Sequence, residues 1–282
     1  MIVKHGDGGK LRFDDASRAL VDVQNVGEIT INFHRPLPAG AAITHGVINR
    51  RSRTWYVCVQ VEFAAPQPAP RARNPVGRAV GLLHLLTRSN GTQIDTLRWL
   101  REVLAALRVA QRRLCRRVTG KYRYRTTAQD VACLHDHISK QRRDGWHTTT
   151  RWLVATDGLV ASETLTLDVM THHPRRSLSA HDAALGLFRE LLTDTAESAG
   201  TVVVAVNPQS TSQVCAGGGE MVQTSLSERI HDCPHGHVRL DRDEHAARNI
   251  LARALACESV RTGPSGANVA GYSVRSLRSS PL

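Results

Sequence analysis

SAHDAALGLFRELLTDTAESAGTVVVAV, residues 179–206, carries two periods in succession. From Ser179 to Gly200 the apolar residues recur at helical spacing, with Ser179 as the expected N-cap and Gly200 as the stop. TVVVAV (201–206) is then apolar without alternation, the pattern of a strand covered on both faces in a mixed or parallel sheet. Upstream, GLVASETL (158–165) reads as another strand. VGRAVGLLHLLTRSNGTQID (76–95) reads as strand, turn and strand, with Asn90-Gly91 expected to form a type I′ hairpin turn. Between these lie two expected helices. One runs from Leu97 to Val118, with Leu97, Leu100, Leu104, Leu107 and Leu114 on one stripe; the other runs from Ala128 to Val154 through Val131, Leu134 and Ile138. Hairpin, helices, strand, helix, strand, helix is an α/β order.

The first third reads differently. EITINF (28–33) alternates, and residues 42–63 read as two strands around a polar turn, so residues 1–63 are expected to form a small β-barrel or sheet. Residues 64–75 hold four prolines without periodicity and read as a linker. A second domain is expected over 76–257, including the helical pair 97–154 joined by the basic turn GKYRYR (120–125) and an inserted loop region at 207–240. The tail from 258 to 282 reads as disordered.

Charge points to a partner. Lys plus Arg number 37 against 25 Asp plus Glu, a net +12, and only four of the cations are lysine. Arginine forks onto phosphate and stacks on bases, which suits nucleic acid, although a GC-rich genome produces the same bias. Residues 98–148 hold 13 of the cations and only 4 acids. Within them Arg112, Arg113, Arg116 and Arg117 stand beside Lys121, Arg123 and Arg125, with Tyr122 and Tyr124 interleaved and Arg142 further along. Charge with stacking rings matches a nucleic-acid backbone better than a merely solvated helix face. No stretch approaches the roughly 18 apolar residues of a membrane span and the N-terminus has no apolar signal core, so a soluble cytoplasmic protein is expected. Six cysteines without a dense framework are expected to stay reduced, leaving metal binding as their chemistry.

Glu163 closes an apolar strand, and Asp241 and Asp243 precede the helical AARNILARAL. Carboxylates at strand ends and helix starts can converge on Mg²⁺, but each alone reads equally as a helix cap or surface charge.

NPQSTSQVCAGGGE (207–220) and HDCPHGHVRLDRDEHAARNIL (231–251) are the most specific signals. They resemble the TnpB (OrfB) proteins of bacterial insertion sequences, relatives of the compact type V CRISPR nucleases. That family shows T-S-Q-x-C-x-x-C-G, C-x-x-C and D-R-D-x-N-A-A-x-N-I. Thr211, Ser212, Gln213, Cys215, Cys233, Asp241, Arg242, Asp243, Ala246, Ala247, Asn249 and Ile250 match it. VACLHDHISKQRRDGWH (131–147) resembles the family's second helix, Glu163, Leu165 and Met170 its second-acid strand, and residues 76–92 its V-G-x-D-x-G-L strand, so the resemblance covers about residues 25–255. It implies a RuvC-like RNase H fold with a zinc-knuckle insertion, preceded by part of a wedge barrel. The implied activity is RNA-guided DNA cleavage, with guide RNA and DNA as partners.

Three departures qualify that implication. The family's three acids hold two Mg²⁺ ions; Glu163 and Asp243 match the second and third, but Ala79 occupies the first position, and neither Asp95 nor Asp157 has a register that replaces it. Two of the four zinc ligands are Gly218 and Gly236; Cys215, Cys233 and His237, with His235 or His231, are the available donors, so sub-stoichiometric Zn²⁺ that weakens below about pH 6.5 is expected. The wedge segment and helical recognition region that the family carries ahead of this point have no room in 282 residues, so an N-terminally truncated, degenerate member is expected. The expectation is a nuclease-deficient nucleic-acid binder. An active nuclease, a transposon relic and a generic basic RNA-binding protein are the alternatives, the last leaving the T-S-Q-x-C and D-R-D motifs unexplained.

Overall fold

The computed structural model describes residues 2–4, 9–13, 18–23, 27–32, 37, 40–63, 74–164, 172, 177–223, 228–234 and 238–261. Contacts divide the chain into two compact units, Met1–Pro70 with Arg98–Thr149, and Arg71–Leu97 with Thr150–Leu282. Most of the helical pair therefore groups with the N-terminal strands, whereas from sequence it is assigned to the second domain. The chain passes between the units at 97–98, just before a helix starts at Trp99, and again at 149–150, inside a single helix, Tyr122–Thr156.

In the first unit, β1 (Ile2–Lys4), β2 (Gly9–Phe13), β3 (Arg18–Val23), β4 (Gly27–Asn32), β5 (Ala42–Arg51) and β6 (Thr54–Glu62) make two antiparallel sheets of three strands, ordered β1-β5-β6 and β2-β3-β4. β3 alternates as the pattern requires, burying Ala19, Val21 and Val23. Helix α1 (Trp99–Cys115) buries Trp99 and Leu107, and α2 spans Tyr122–Thr156. The basic turn is shorter than expected: Tyr122, Arg123, Tyr124 and Arg125 are already the first turn of α2, since nothing after Gly120 breaks a helix.

The second unit is built on one five-stranded sheet. β7 (Pro75–Ala79), β8 (His84–Arg88), β9 (Gln93–Asp95), β10 (Leu159–Glu163) and β11 (Val202–Val206) stand in the order β11-β10-β7-β8-β9. β11, β10 and β7 run parallel, and β8 and β9 continue antiparallel. Pro75 opens β7 rather than ending the linker; residues 64–73 lie outside the described residues. Residues 76–95 form three strands, not two. The Asn90-Gly91 turn is not type I′, because of the two only Gly91 takes positive φ (83°). Arg88 accepts from Gly91 N–H and donates to Thr92 O, the pattern of a turn closed by a left-handed residue.

Residues 179–200 are expected as one helix and form two, α3 (Ser177–Ala183) and α4 (Leu185–Ala199), separated by Ala184 at φ 49°. Ala183 and Leu185 are buried on either side of this left-handed residue, so the core continues across the break. Ser179 is consequently inside α3 and not at its start. Gly200 does end α4, its N–H bonded to Ala196 and Glu197 carbonyls. β11 is an edge strand on which Val206 is buried, Val202, Val203 and Val204 are partly buried and Ala205 is exposed, which corrects the expectation of two covered faces. A hairpin of β12 (Ile230–Cys233) and β13 (Val238–Asp241) leads into α5 (Arg242–Arg261), so residues 258–261 are helical; 262–282 lie outside the described residues.

The core lies between the sheet and α5, where Ala79, Leu159, Ala161 and Val206 meet Ala246, Ala247, Ile250 and Ala254. Small residues let helix and strand approach closely. A Cβ on Gly77 would stand 2.0 Å from the Ala247 carbonyl oxygen and 2.8 Å from Leu251 Cβ. Gly77→Ala is therefore expected to cost at least about 3 kcal/mol, read as a lower urea midpoint, because backbone rather than a flexible side chain blocks the methyl. An unchanged midpoint would show that α5 moves freely. Among the described residues no helix is long and apolar enough to cross a membrane.

Candidate nucleic-acid and metal sites

β7 and β10 are parallel neighbours, with Ser162 opposite Arg78, so one more step brings Glu163 alongside Ala79 at the strands' C-terminal ends. Alternation turns Gly77 and Ala79 toward α5 and Arg78 to the other face. Asp241 Oδ1 accepts from the N–H groups of Asp243 (2.9 Å) and Glu244 (3.3 Å), capping α5. That cap sets Asp243 in the first turn, where its Oδ2 lies 3.6 Å from the position of a Cβ on Gly81. Glu163 Oε1 accepts from the Val80 N–H at 3.4 Å. The structure thus brings Glu163, Asp243 and Ala79 to one end of one face, and it separates the capping Asp241 from the facing Asp243.

Burial pushes Glu163 up from 4.5 to about 7, with the Asp243 charge adding to the rise and the Val80 hydrogen bond opposing it. Asp243 is likewise raised, first by burial and then by Asp241, against Arg229, His84 and Arg242. A carboxyl that holds its proton to about pH 7 when folded, but only to 4.5 when unfolded, stabilises the fold below 4.5 and loses that contribution as pH rises through 7. In chelator-treated protein, stability is expected to fall by about 3 kcal/mol across that window. Glu163→Gln should flatten the slope and raise the melting temperature at pH 8; a slope unchanged by the substitution would assign it to other groups.

Asp157 and Asp95 do not replace the missing acid. Asp157 is buried and accepts from Arg78 at 3.2 Å and from Arg88, whose guanidinium also lies 4.9 Å over the Trp152 ring. Burial lowers the Arg78 pKa to about 9 against the Asp157 attraction. Asp95 is exposed and paired with His84 at 3.0 Å. As oxygen donors, Glu163 and Asp243 fit one Mg²⁺ shared with substrate phosphates; the buried Ala79 methyl leaves a two-ion set without a donor.

The T-S-Q-x-C and D-R-D-x-x-A-A-x-N motifs are stitched together. Asn249 Nδ2 donates to the carbonyls of Thr211 (2.8 Å) and Val214 (2.6 Å), and Arg242 reaches Ser212 Oγ at 3.3 Å. This holds a small hairpin in which Val214 bridges Met221 and Cys215 N–H donates to Glu220 O. Cys215, His231 and Cys233 meet there, all buried, with their donor atoms within 4.8 Å of one another. His235 and His237 lie outside the described residues. Burial would raise the Cys215 thiol, but hydrogen bonds from Cys233 and the Gly217 and Gly218 N–H groups leave it below its ordinary value. His231 stacks on His245, ring centroids 3.6 Å apart and 10° from parallel. His245 was not legible from sequence; it sits in D-R-D-E-H where the family pattern has Asn, which was the available signal.

On α1 and α2 the basic cluster is exposed. Arg116, Arg117, Lys121, Tyr122, Arg123 and Tyr124 line a hollow of about 470 Å³, and Tyr122 is 82 % exposed. Arg112 and Arg113 occupy the last turn of α1, and Arg125 is exposed near the start of α2. Arg142 is set apart, about 25 Å further along α2 at 1.5 Å per residue, and is half-buried.

Residues 56–173 match the family model OrfB_IS605, "Probable transposase", and residues 186–250 match the Cas12f1-like TNB domain. The chain is 30 % identical over 238 residues to a "Putative RNA-guided DNA endonuclease" of Streptomyces pristinaespiralis, covering 83 % of this chain and 59 % of that protein. It is 28 % identical over 229 residues to the "Putative RNA-guided DNA endonuclease InsQ" of Escherichia coli K12, covering 74 % and 57 %. The chain spans nearly three-fifths of the length of these relatives. Its fold is similar to a protein solved by cryo-EM in a Cas12f1-sgRNA-target DNA complex, with TM-score 0.59 and 12 % identity over 88 % of this chain and 63 % of that one. Fold and matches together define a transposon-type protein built on a mixed α/β sheet. Within that class the chain belongs to the TnpB (OrfB) family.

Proposed function

We propose that this chain is a nucleic-acid-binding protein descended from an RNA-guided, Mg²⁺-dependent DNA endonuclease, with cleavage lost. The observation that carries the reading is Ala79, a buried methyl beside Glu163 and Asp243 where a third carboxylate is needed. The sheet order β11-β10-β7-β8-β9, with acids at the strand ends and the start of α5, supports a RuvC-like RNase H domain. The two small antiparallel sheets support part of a wedge module. Guide RNA and DNA as partners rest on the names of the relatives and on the exposed arginine–tyrosine cluster. Glu163 and Asp243 would hold a Mg²⁺ ion, which when bound supplies electrostatic stabilisation at phosphate. A cytoplasmic location belongs to the same reading, supported by six free cysteines.

The test measures binding and cleavage in parallel on one preparation, with RNA that co-purifies and with duplex DNA. Retained binding without cleavage is the expected result. Guide-dependent cutting abolished by Glu163→Gln would overturn it.

A further inference from the structure

We infer that Cys215, His231 and Cys233 form a three-ligand site for one zinc ion, His231 standing in for the lost thiolates and the fourth position left to an outside ligand. The inference is independent of the nucleic-acid reading, because it rests on a separate cluster. The relatives' pattern places ligands where this chain has Gly218 and Gly236, which offer no donor. His231 is at neither place. It lies two residues before Cys233 on β12, and strand alternation puts both side chains on the buried face of the hairpin.

Four observations point to an ion here. The three donor atoms already lie within 4.8 Å of one another. Zinc bonds of about 2.3 Å to sulfur and 2.0–2.1 Å to nitrogen separate tetrahedral ligand atoms by about 3.5–3.8 Å, so a contraction of about 1 Å at most closes the site. Cys215, His231 and Cys233 are each 1 % exposed or less. Neither ring nitrogen of His231 has a hydrogen-bond partner among the described residues, a buried arrangement that is costly unless something else takes the lone pair.

His245 acts as a positioning residue. Its Nε2 accepts the Ala216 N–H at 3.0 Å, next to Cys215, and its ring lies parallel against His231. It therefore ties the turn carrying one thiolate to the ring carrying the nitrogen, as groups behind a metal's ligands commonly do. Two sulfurs and one imidazole suit a borderline-soft ion, and among the described residues no carboxylate joins them, which disfavours Mg²⁺ and Ca²⁺. The sub-stoichiometric zinc expected from the ligand count alone gives way to one equivalent, held less tightly than by four protein ligands.

The test uses the full chain, stripped with chelator under reducing conditions, titrated with Co²⁺ and then displaced with Zn²⁺. One equivalent of Co²⁺ should give the visible bands of a four-coordinate ion and a sulfur-to-cobalt band of two-thiolate intensity. Cys215→Ser and Cys233→Ser should each remove about half of that band or all binding, and His231→Asn should weaken zinc roughly a hundredfold. His231→Cys, which keeps a ligand and so guards against a variant that fails to fold, should retain one equivalent and raise the sulfur band by about half. The His235→Asn, His237→Asn double variant should match the parent. No stoichiometric Co²⁺, a band indifferent to His231→Cys, or binding lost only in the double variant would each overturn the assignment.

Discussion

Target DNA is expected to stay intact when incubated with the purified protein, its co-purified RNA and Mg²⁺ or Mn²⁺. Glu163 and Asp243 converge with Ala79, and a methyl ligates nothing. In a two-ion mechanism the carboxylates hold the ions about 3.5–4 Å apart around the scissile phosphate, so losing one shared ligand removes the geometry rather than a fraction of it. Residues acting as a unit fail as a unit, and the expected loss is several orders of magnitude in rate. The reciprocal variant makes the test two-sided. Ala79→Asp adds the missing oxygens on the face turned toward α5, beside Glu163, and any cleavage that returns should vanish again with Glu163→Gln. Cutting by the parent protein at the rate of Ala79→Asp would show that position 79 is irrelevant to the chemistry.

Replacing Arg112, Arg113, Arg116 and Arg117 together with Gln is expected to lower nucleic-acid affinity roughly a hundredfold at 0.15 M salt and to reduce the log–log salt slope by about 3. Each phosphate contact contributes about 0.7–0.9 to that slope through counterion release, so four lost contacts predict the change without reference to sequence recognition. The arginines are exposed at the end of α1 and its cap, so the substitution should leave the melting temperature within about 1 °C. Tyr122→Ala separates stacking from charge: it should weaken single-stranded RNA several-fold and leave the salt slope unchanged. An unchanged affinity and slope in the arginine variant would make the cluster a solvated helix face.

Alternation and helical periodicity are local properties, and they placed Glu163 at the end of β10, Asp243 at the start of α5 and the arginines on α1 and α2 before any packing was known. The acid absent at Ala79 was legible only through the resemblance of residues 76–92 to the family's V-G-x-D-x-G-L strand, since no local period marks a missing side chain. Three-dimensional neighbours decided the remainder. Ala184 breaks a periodic helix by taking a left-handed backbone conformation, which the hydrophobic period across 179–200 does not mark. Gly91 closes a turn with its φ alone positive, because the register of β8 and β9 selects the turn type. Asp241 and Asp243, indistinguishable as neighbouring acids in the chain, part only when α5 forms and one carboxylate turns back to cap it. Two hairpins separated in sequence bring Cys215 to His231 and Cys233 and set His245 against the imidazole. A donor set assembled from two hairpins has no period to announce it; only the tertiary fold, which fixes distances across the chain, brings His231 to both cysteines.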